Sequence, residues 1–199
     1  MINNSSKILY LFAREPWRKF TFKEIKKLSK SKSESYVYDV IKKFVKDNVL
    51  QQEKAGNVIQ YSASKSQNAI FYLSTASEQQ ALKETQEIEE LQKIIPAKLY
   101  TLIVTGSYAN KKQTQKSDLD IVLICDIDKK KVYSELRHFC EMSIPKIHLY
   151  VFSPIEFEST LLDKEANYGK EIAKNNLIIA GAEAYFRIIM EAIKNGFVG

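Results

Sequence analysis

The chain is poor in the residue types that build redox, zinc and membrane proteins. Two cysteines, Cys125 and Cys140, and two histidines, His138 and His148, are all that 199 residues supply. The spacing around the cysteines matches no metal-ligand or disulfide framework. Cys125 ends an apolar strand pattern and Cys140 sits on an apolar helical face, so both read as reduced core residues. No apolar run approaches the roughly 20 residues of a membrane span. A cytoplasmic chain with no membrane partner is the expectation. Arginine is scarce in the first half, where only Arg14 and Arg18 occur. Sharp reading of guanine favours arginine, so lysine-based contacts there would be less discriminating.

What is present is globular and basic. Apolar residues make up 45% of the chain, which is enough to expect the whole length to fold. Lys and Arg number 30 against 24 Asp and Glu, a formal charge of +6. Such an excess suits a polyanionic partner and also keeps a protein soluble.

The first third alternates short helices with turn signals. Lys7 to Phe12 is an apolar-periodic run behind Ser5 and Ser6, either of which can cap a helix. Thr21-Phe22-Lys23-Glu24 is a capping box, with Phe22, Ile25 and Leu28 predicted on one face. A third helix is predicted from Glu34 to Asp47, with Tyr36, Val40, Phe44 and Val45 inward and Lys42, Lys43 and Lys46 outward. Two strand-like runs, Val49 to Gln52 and Val58 to Ser62, flank the turn Ala55-Gly56-Asn57.

Three helices followed by a hairpin resemble a winged helix-turn-helix domain. That resemblance implies duplex DNA as a partner, with the third helix in the major groove and the hairpin on the backbone. The DNA-binding candidates are Lys30, Lys32, Ser33, Ser35, Tyr38, Lys42 and Lys43, with Lys54 in the wing. Segment 18–46 holds ten basic residues against three acidic ones, an excess of seven where the whole chain carries +6. A solvated face used for protein contact is the alternative reading of the same lysines.

From Asn68 to Ile95 a helical segment is predicted, with a break near Ser74 to Ser77 and an end at Pro96. Ile70, Leu73, Ala81, Ile88, Leu91 and Ile95 fall near a heptad seam, suited to packing on the flanking domains or on a second copy in a homodimer. Beyond it the periodicity changes. Leu99 to Thr105, Leu119 to Cys125 and Ile147 to Phe152 read as strands. Lys130 to Glu141, Pro154 to Leu162, Glu165 to Lys174 and Ala182 to Lys194 read as helices. The fold class expected is therefore α+β: a winged helix-turn-helix over 1–66, a linking helical segment over 67–96, and a small mixed-sheet domain over 97–199.

The richest stretch is Gly106 to Ile124, G-S-Y-A-N-K-K-Q-T-Q-K-S-D-L-D-I-V-L-I. Residues two apart in a strand share a face at about 6.6 Å. Asp118 and Asp120 can therefore converge, with Leu119 and Ile121 turned to the core. Carboxylates so close repel unless a cation joins them. Magnesium fits, since it takes hard oxygen ligands and completes its shell with substrate phosphates. A glycine lets the backbone approach a phosphate, and the Ser107 hydroxyl can add a donor. Lys111, Lys112 and Lys116 lie in the intervening loop and can neutralise a triphosphate or be solvated.

These residues resemble the minimal nucleotidyltransferase family of the polymerase-beta-like superfamily, in which G-S is followed after about ten residues by D-x-D. By that resemblance Gly106 and Ser107 match the phosphate-gripping pair, and Lys111 and Lys112 join them as nucleotide-binding candidates. Asp118 and Asp120 match the metal-binding, catalytic pair. The implied chemistry moves a nucleoside monophosphate from an NTP to a hydroxyl, with Mg2+ or Mn2+ as cofactor. Family members use a third carboxylate on a neighbouring strand. The sequence offers His148 at that position, either as a catalytic substitute or as an ordinary strand residue. Some members are antitoxins that modify a toxin's tyrosine, so a protein acceptor or toxin partner is one implied target. The contrasting reading is a winged-helix regulator whose second domain binds nucleotide or partner without catalysis.

Overall fold

The computed structural model describes residues 4–84 and 88–199. The amino-terminal part runs α1 (Asn4–Arg14), β1 (Phe20–Thr21), α2 (Phe22–Ser29), α3 (Glu34–Lys46), β2 (Leu50–Ala55) and β3 (Val58–Ala63). Its strands form an antiparallel sheet in the order β1-β3-β2. The capping box forms as the sequence predicts. Thr21 Oγ1 accepts from Glu24 N at 3.3 Å, and Glu24 Oε2 accepts from Thr21 N at 2.8 Å. Ala55 pairs with Val58, so the hairpin closes through Gly56 and Asn57, with Gly56 at φ 60°.

The inward face of α3 differs from the expectation. Val37, Ile41 and Phe44 are buried, whereas Tyr36, Val40 and Val45 only flank the core. On α2, Ile25 and Ser29 are buried and Leu28 is exposed. The apolar pattern admits both stripes, and the direction of the neighbouring α1 and β3 selects one. The two-residue β1 carries too little periodicity to be read from sequence.

α4 (Gln67–Glu84) runs straight through the predicted break. Ser74 Oγ donates to Ile70 O at 2.6 Å, and Ser74 and Ser77 are buried. Ser74 thus satisfies its hydroxyl against the helix backbone, and both small side chains let neighbours pack closely. α5 (Glu89–Ile94) follows; residues 85–87 of the expected helical run lie outside the described residues. Ile70, Leu73, Ala81, Ile88 and Leu91 are all buried within this chain, so the seam is used internally.

The carboxy-terminal part comprises β4 (Thr101–Val104), α6 (Gly106–Ala109), β5 (Leu119–Ile124), α7 (Lys129–Met142), β6 (Ile147–Phe152), α8 (Pro154–Leu162), α9 (Tyr168–Lys174), β7 (Leu177–Ala180) and α10 (Ala182–Lys194). The sheet order is β6-β5-β4-β7, with β5 and β6 parallel and the other pairs antiparallel. α7 is the crossover that a parallel pair requires. The fourth strand, β7, was not foreseen; four apolar residues between α9 and a glycine give no clear period. Leu99, expected in β4, lies before it and is exposed.

Alternation along the strands divides the core. Leu102, Val104, Ile121 and Leu123 meet α7 through Val132, Leu136 and Cys140. Ile103, Val122 and Ile124 face the other way, in a cluster with Phe157, Ile172, Tyr185 and Phe186 that continues through α4 to Ile8, Phe12 and Ile41. Trp17 and Phe197 meet edge to face at 5.1 Å, and Arg187 Nη2 donates to Gln67 Oε1 at 3.0 Å. Both cysteines are free and buried. Among the described residues no helix is long and apolar enough to cross a membrane.

Candidate active site

The Gly-Ser turn and the two aspartates meet at one end of the sheet. β4 delivers the chain to Thr105, whose N–H donates to Asp120 O at 3.0 Å. Gly106 then adopts φ 66°, and a methyl group there would overlap Asp120 Oδ2. Only glycine lets the turn lie this close to the carboxylate. Ser107 follows in the first turn of the short α6.

Asp118 precedes β5 and Asp120 is its second residue; the intervening Leu119 is buried with Ile121. Parallel pairing sets Asp120 opposite His148 of β6. His148 Nε2 lies 3.3 Å from Asp118 Oδ2, and His148 Nδ1 lies 3.6 Å from Asp120 Oδ1. His148 thus lies beside the pair, on the strand where the resemblance implies a third carboxylate. Burial raises the pKa of Asp120; the charge of His148 opposes this and that of Asp118 adds to it. A neutral imidazole donates only one N–H. With carboxylate oxygens facing both nitrogens, a neutral ring can hydrogen-bond to only one of them and leaves the other nitrogen free to accept a proton.

The donors fit one divalent cation through the carboxylate pair. Magnesium is held by one or two carboxylates plus substrate phosphates, and manganese likewise takes carboxylate and phosphate oxygens. His148 turns a different nitrogen to each aspartate, so the ring sits between them and does not converge with them on a point. Accordingly no group of three or more His, Cys, Asp or Glu forms a ready metal centre among the described residues. Asp118 and Asp120 would hold the ion, and phosphate oxygens would complete it.

Other residues shape the site. Tyr150, on the same face of β6 as His148, packs on Tyr168 of α9 at 4.6 Å between ring centroids. Burial, Tyr150 and Asp120 together push the Tyr168 phenol well above its usual range, so it remains a neutral donor. At the other end of α9, Asn175 Nδ2 donates to Gly106 O at 3.0 Å, and Thr105 Oγ1 donates to Asn175 O at 2.7 Å. Tyr168 and Asn175 carried no functional signal in sequence, standing some 50 residues beyond the aspartates at the two ends of the helix predicted over Glu165 to Lys174. Tyr150 was legible only through strand parity with His148. A cavity of about 470 Å³ opens along β6 and α7, lined by Tyr133, Arg137, Cys140, Leu149, His148 and Tyr150 among others.

Lys111 and Lys112 follow the carboxy-terminal end of α6, both exposed, with their amides bonded to Tyr108 O and Ser107 O. In the amino-terminal part, Lys32, Ser35, Lys42, Lys43 and Lys54 are exposed and Tyr38 is half exposed against Phe22. The Ser33 hydroxyl is committed to capping α3, accepting from Tyr36 N at 3.2 Å. Lys26 pairs with Glu34 at 2.6 Å.

The site is thus a carboxylate pair at a strand head, facing a glycine turn that follows the adjacent strand. The family model described as nucleotidyltransferase domain matches residues 83–180, just under half of the 199-residue chain. The match spans α5 to β7 and contains every residue of the site named above, so a nucleotidyltransferase domain is supported in this half. No curated protein and no solved structure matches the chain.

Proposed function

We propose that the carboxy-terminal domain transfers a nucleoside monophosphate from an NTP to a hydroxyl acceptor, and that the amino-terminal part is a winged helix-turn-helix that binds duplex DNA. The observation that carries the first half is the convergence of Gly106, Asp118, Asp120 and His148 from three separate elements. In the reaction, the acceptor oxygen forms a bond to the α-phosphorus as the bond to the α,β-bridging oxygen breaks, and pyrophosphate leaves. Asp118 and Asp120 would hold a divalent cation, which would supply charge neutralisation to the triphosphate. His148 Nε2 takes the hydroxyl proton, and Asp118 beside it stabilises the imidazolium formed. Ser107 donates to a phosphate oxygen. The cavity along β6 gives the acceptor access to His148.

A second reading, nucleotide binding without transfer, is favoured by one observation. His148 stands between both carboxylates, where a third carboxylate would strengthen a two-metal site. Incubation with labelled NTPs and Mg2+ or Mn2+ separates the two. Pyrophosphate release abolished in the Asp118→Ala plus Asp120→Ala variant supports transfer. Metal-dependent nucleotide binding without release, lost in the same variant, supports a sensor, and absence of both removes the nucleotide reading. The DNA half rests on the helix and hairpin layout and the exposed lysines of α3. Affinity for duplex DNA that does not fall with rising salt would count against it.

A further inference from the structure

We infer that Asn175 is a positioning residue for the nucleotide site, setting the Gly106-Ser107 turn against Asp120 through its side-chain amide. The inference rests on the nucleotide reading of that site. Asn175 is 69 residues from Gly106 in sequence and belongs to none of the motif positions, yet it touches the turn from two sides. Its Nδ2 donates to Gly106 O at 3.0 Å, and its backbone carbonyl accepts from Thr105 Oγ1 at 2.7 Å. The next link is Thr105 N–H to Asp120 O at 3.0 Å. Asn175, Thr105, Gly106 and Asp120 are thus tied in one chain of contacts across the end of β4.

A helix cap alone does not account for this side chain. The capping bond at the end of α9 is made by the Asn175 backbone N–H, to Glu171 O at 2.9 Å, and needs no amide. The Asn175 side chain is spent on Gly106 instead. Its Oδ1 is buried and, among the described residues, unpartnered, a cost that a purely structural position would avoid with a smaller or apolar residue. Gly106 O also accepts from Asn110 N at 3.3 Å. The amide is therefore not needed merely to satisfy that carbonyl; it fixes the plane of the Gly106-Ser107 peptide. Because the Gly106 turn lies so close to Asp120 that an added methyl would overlap Oδ2, that plane sets where Ser107 sits relative to the carboxylates.

The test compares Asn175→Ala and the isosteric Asn175→Asp with the unmodified protein. The probe is α,β-methylene-ATP, with the corresponding analogues of the other three NTPs, in Mg2+ or Mn2+. Affinity is read by calorimetry, and KM and kcat for pyrophosphate release are read where there is turnover. Both variants should weaken analogue binding about tenfold, the loss of roughly one good hydrogen bond. KM should rise by more than kcat falls, and melting should stay within about 4 °C of the unmodified protein. Asn175→Asp fills the same space but turns an acceptor toward Gly106 O, so it should be no better than Ala. Unchanged binding in both variants, with the unmodified protein binding normally, overturns the inference alone. Binding lost only together with a large fall in melting temperature overturns it as well, by marking a structural role. No binding by the unmodified protein overturns the nucleotide reading and this inference with it.

Discussion

Replacing Gly106 with alanine separates two costs that share one methyl group. At φ 66° an L-residue stands in the left-handed region, which costs about 1–2 kcal/mol. The same methyl overlaps Asp120 Oδ2. That obstacle is the end of a side chain, 26% exposed, so it can rotate aside. Driving it off its rotamer adds about 0.5–1.5 kcal/mol. The reference is Gly56→Ala in the β2-β3 turn, where φ is 60° and nothing lies within 4 Å of the added methyl. Urea denaturation should find Gly56→Ala destabilised by about 1–2 kcal/mol and Gly106→Ala by about 0.5–1.5 kcal/mol more. Nucleotide affinity should diverge sharply. A displaced Asp120 no longer faces His148 or pairs with Asp118, so Gly106→Ala should lose at least about tenfold in metal-dependent binding while Gly56→Ala keeps it. Equal nucleotide affinity in the two variants would refute the claim that this glycine exists to seat Asp120.

Other outcomes follow from the same structure. The pKa of Asp120 is raised in the fold, so its contribution is favourable below the ordinary carboxylate pKa and is lost as pH rises through the raised value. Asp120→Asn should therefore melt higher at pH 7 than the unmodified protein, with the gap closing in acid, and lose transfer; a lower melting temperature at pH 7 would contradict it. Lys42→Ala with Lys43→Ala should lower duplex affinity and reduce the slope of log affinity against log salt by about 2; an unchanged slope would remove these lysines from the phosphate contacts. Thr21→Ala deletes the side-chain acceptor of the α2 cap and should cost about 1 kcal/mol by denaturation, whereas a neutral effect would mean that Glu24 alone holds the helix start.

The sequence by itself determined the parts whose signals are local. The capping box at Thr21 and Glu24 depends on four consecutive residues, and the Asp-x-Asp spacing puts both carboxylates on one strand face whatever the surroundings. Strand parity likewise sets His148 and Tyr150 on a common side of β6. The inward stripe of α3 was misread because Tyr36, Val40 and Val45 compete with Val37 and Ile41 for the core, and only the neighbours decide. β7 and the continuity of α4 through Ser74 were hidden for the same reason, since burial supplies what the local pattern lacks. Tertiary structure alone decided that β6 runs parallel beside β5, bringing His148 within 3.3 Å of Asp118. It also decided that α9 reaches back to Gly106 through Asn175. Such contacts join residues 30 to 69 positions apart. They depend on sheet register and helix placement, which the packing of the whole core sets, whereas caps and strand alternation are written within a single turn or strand.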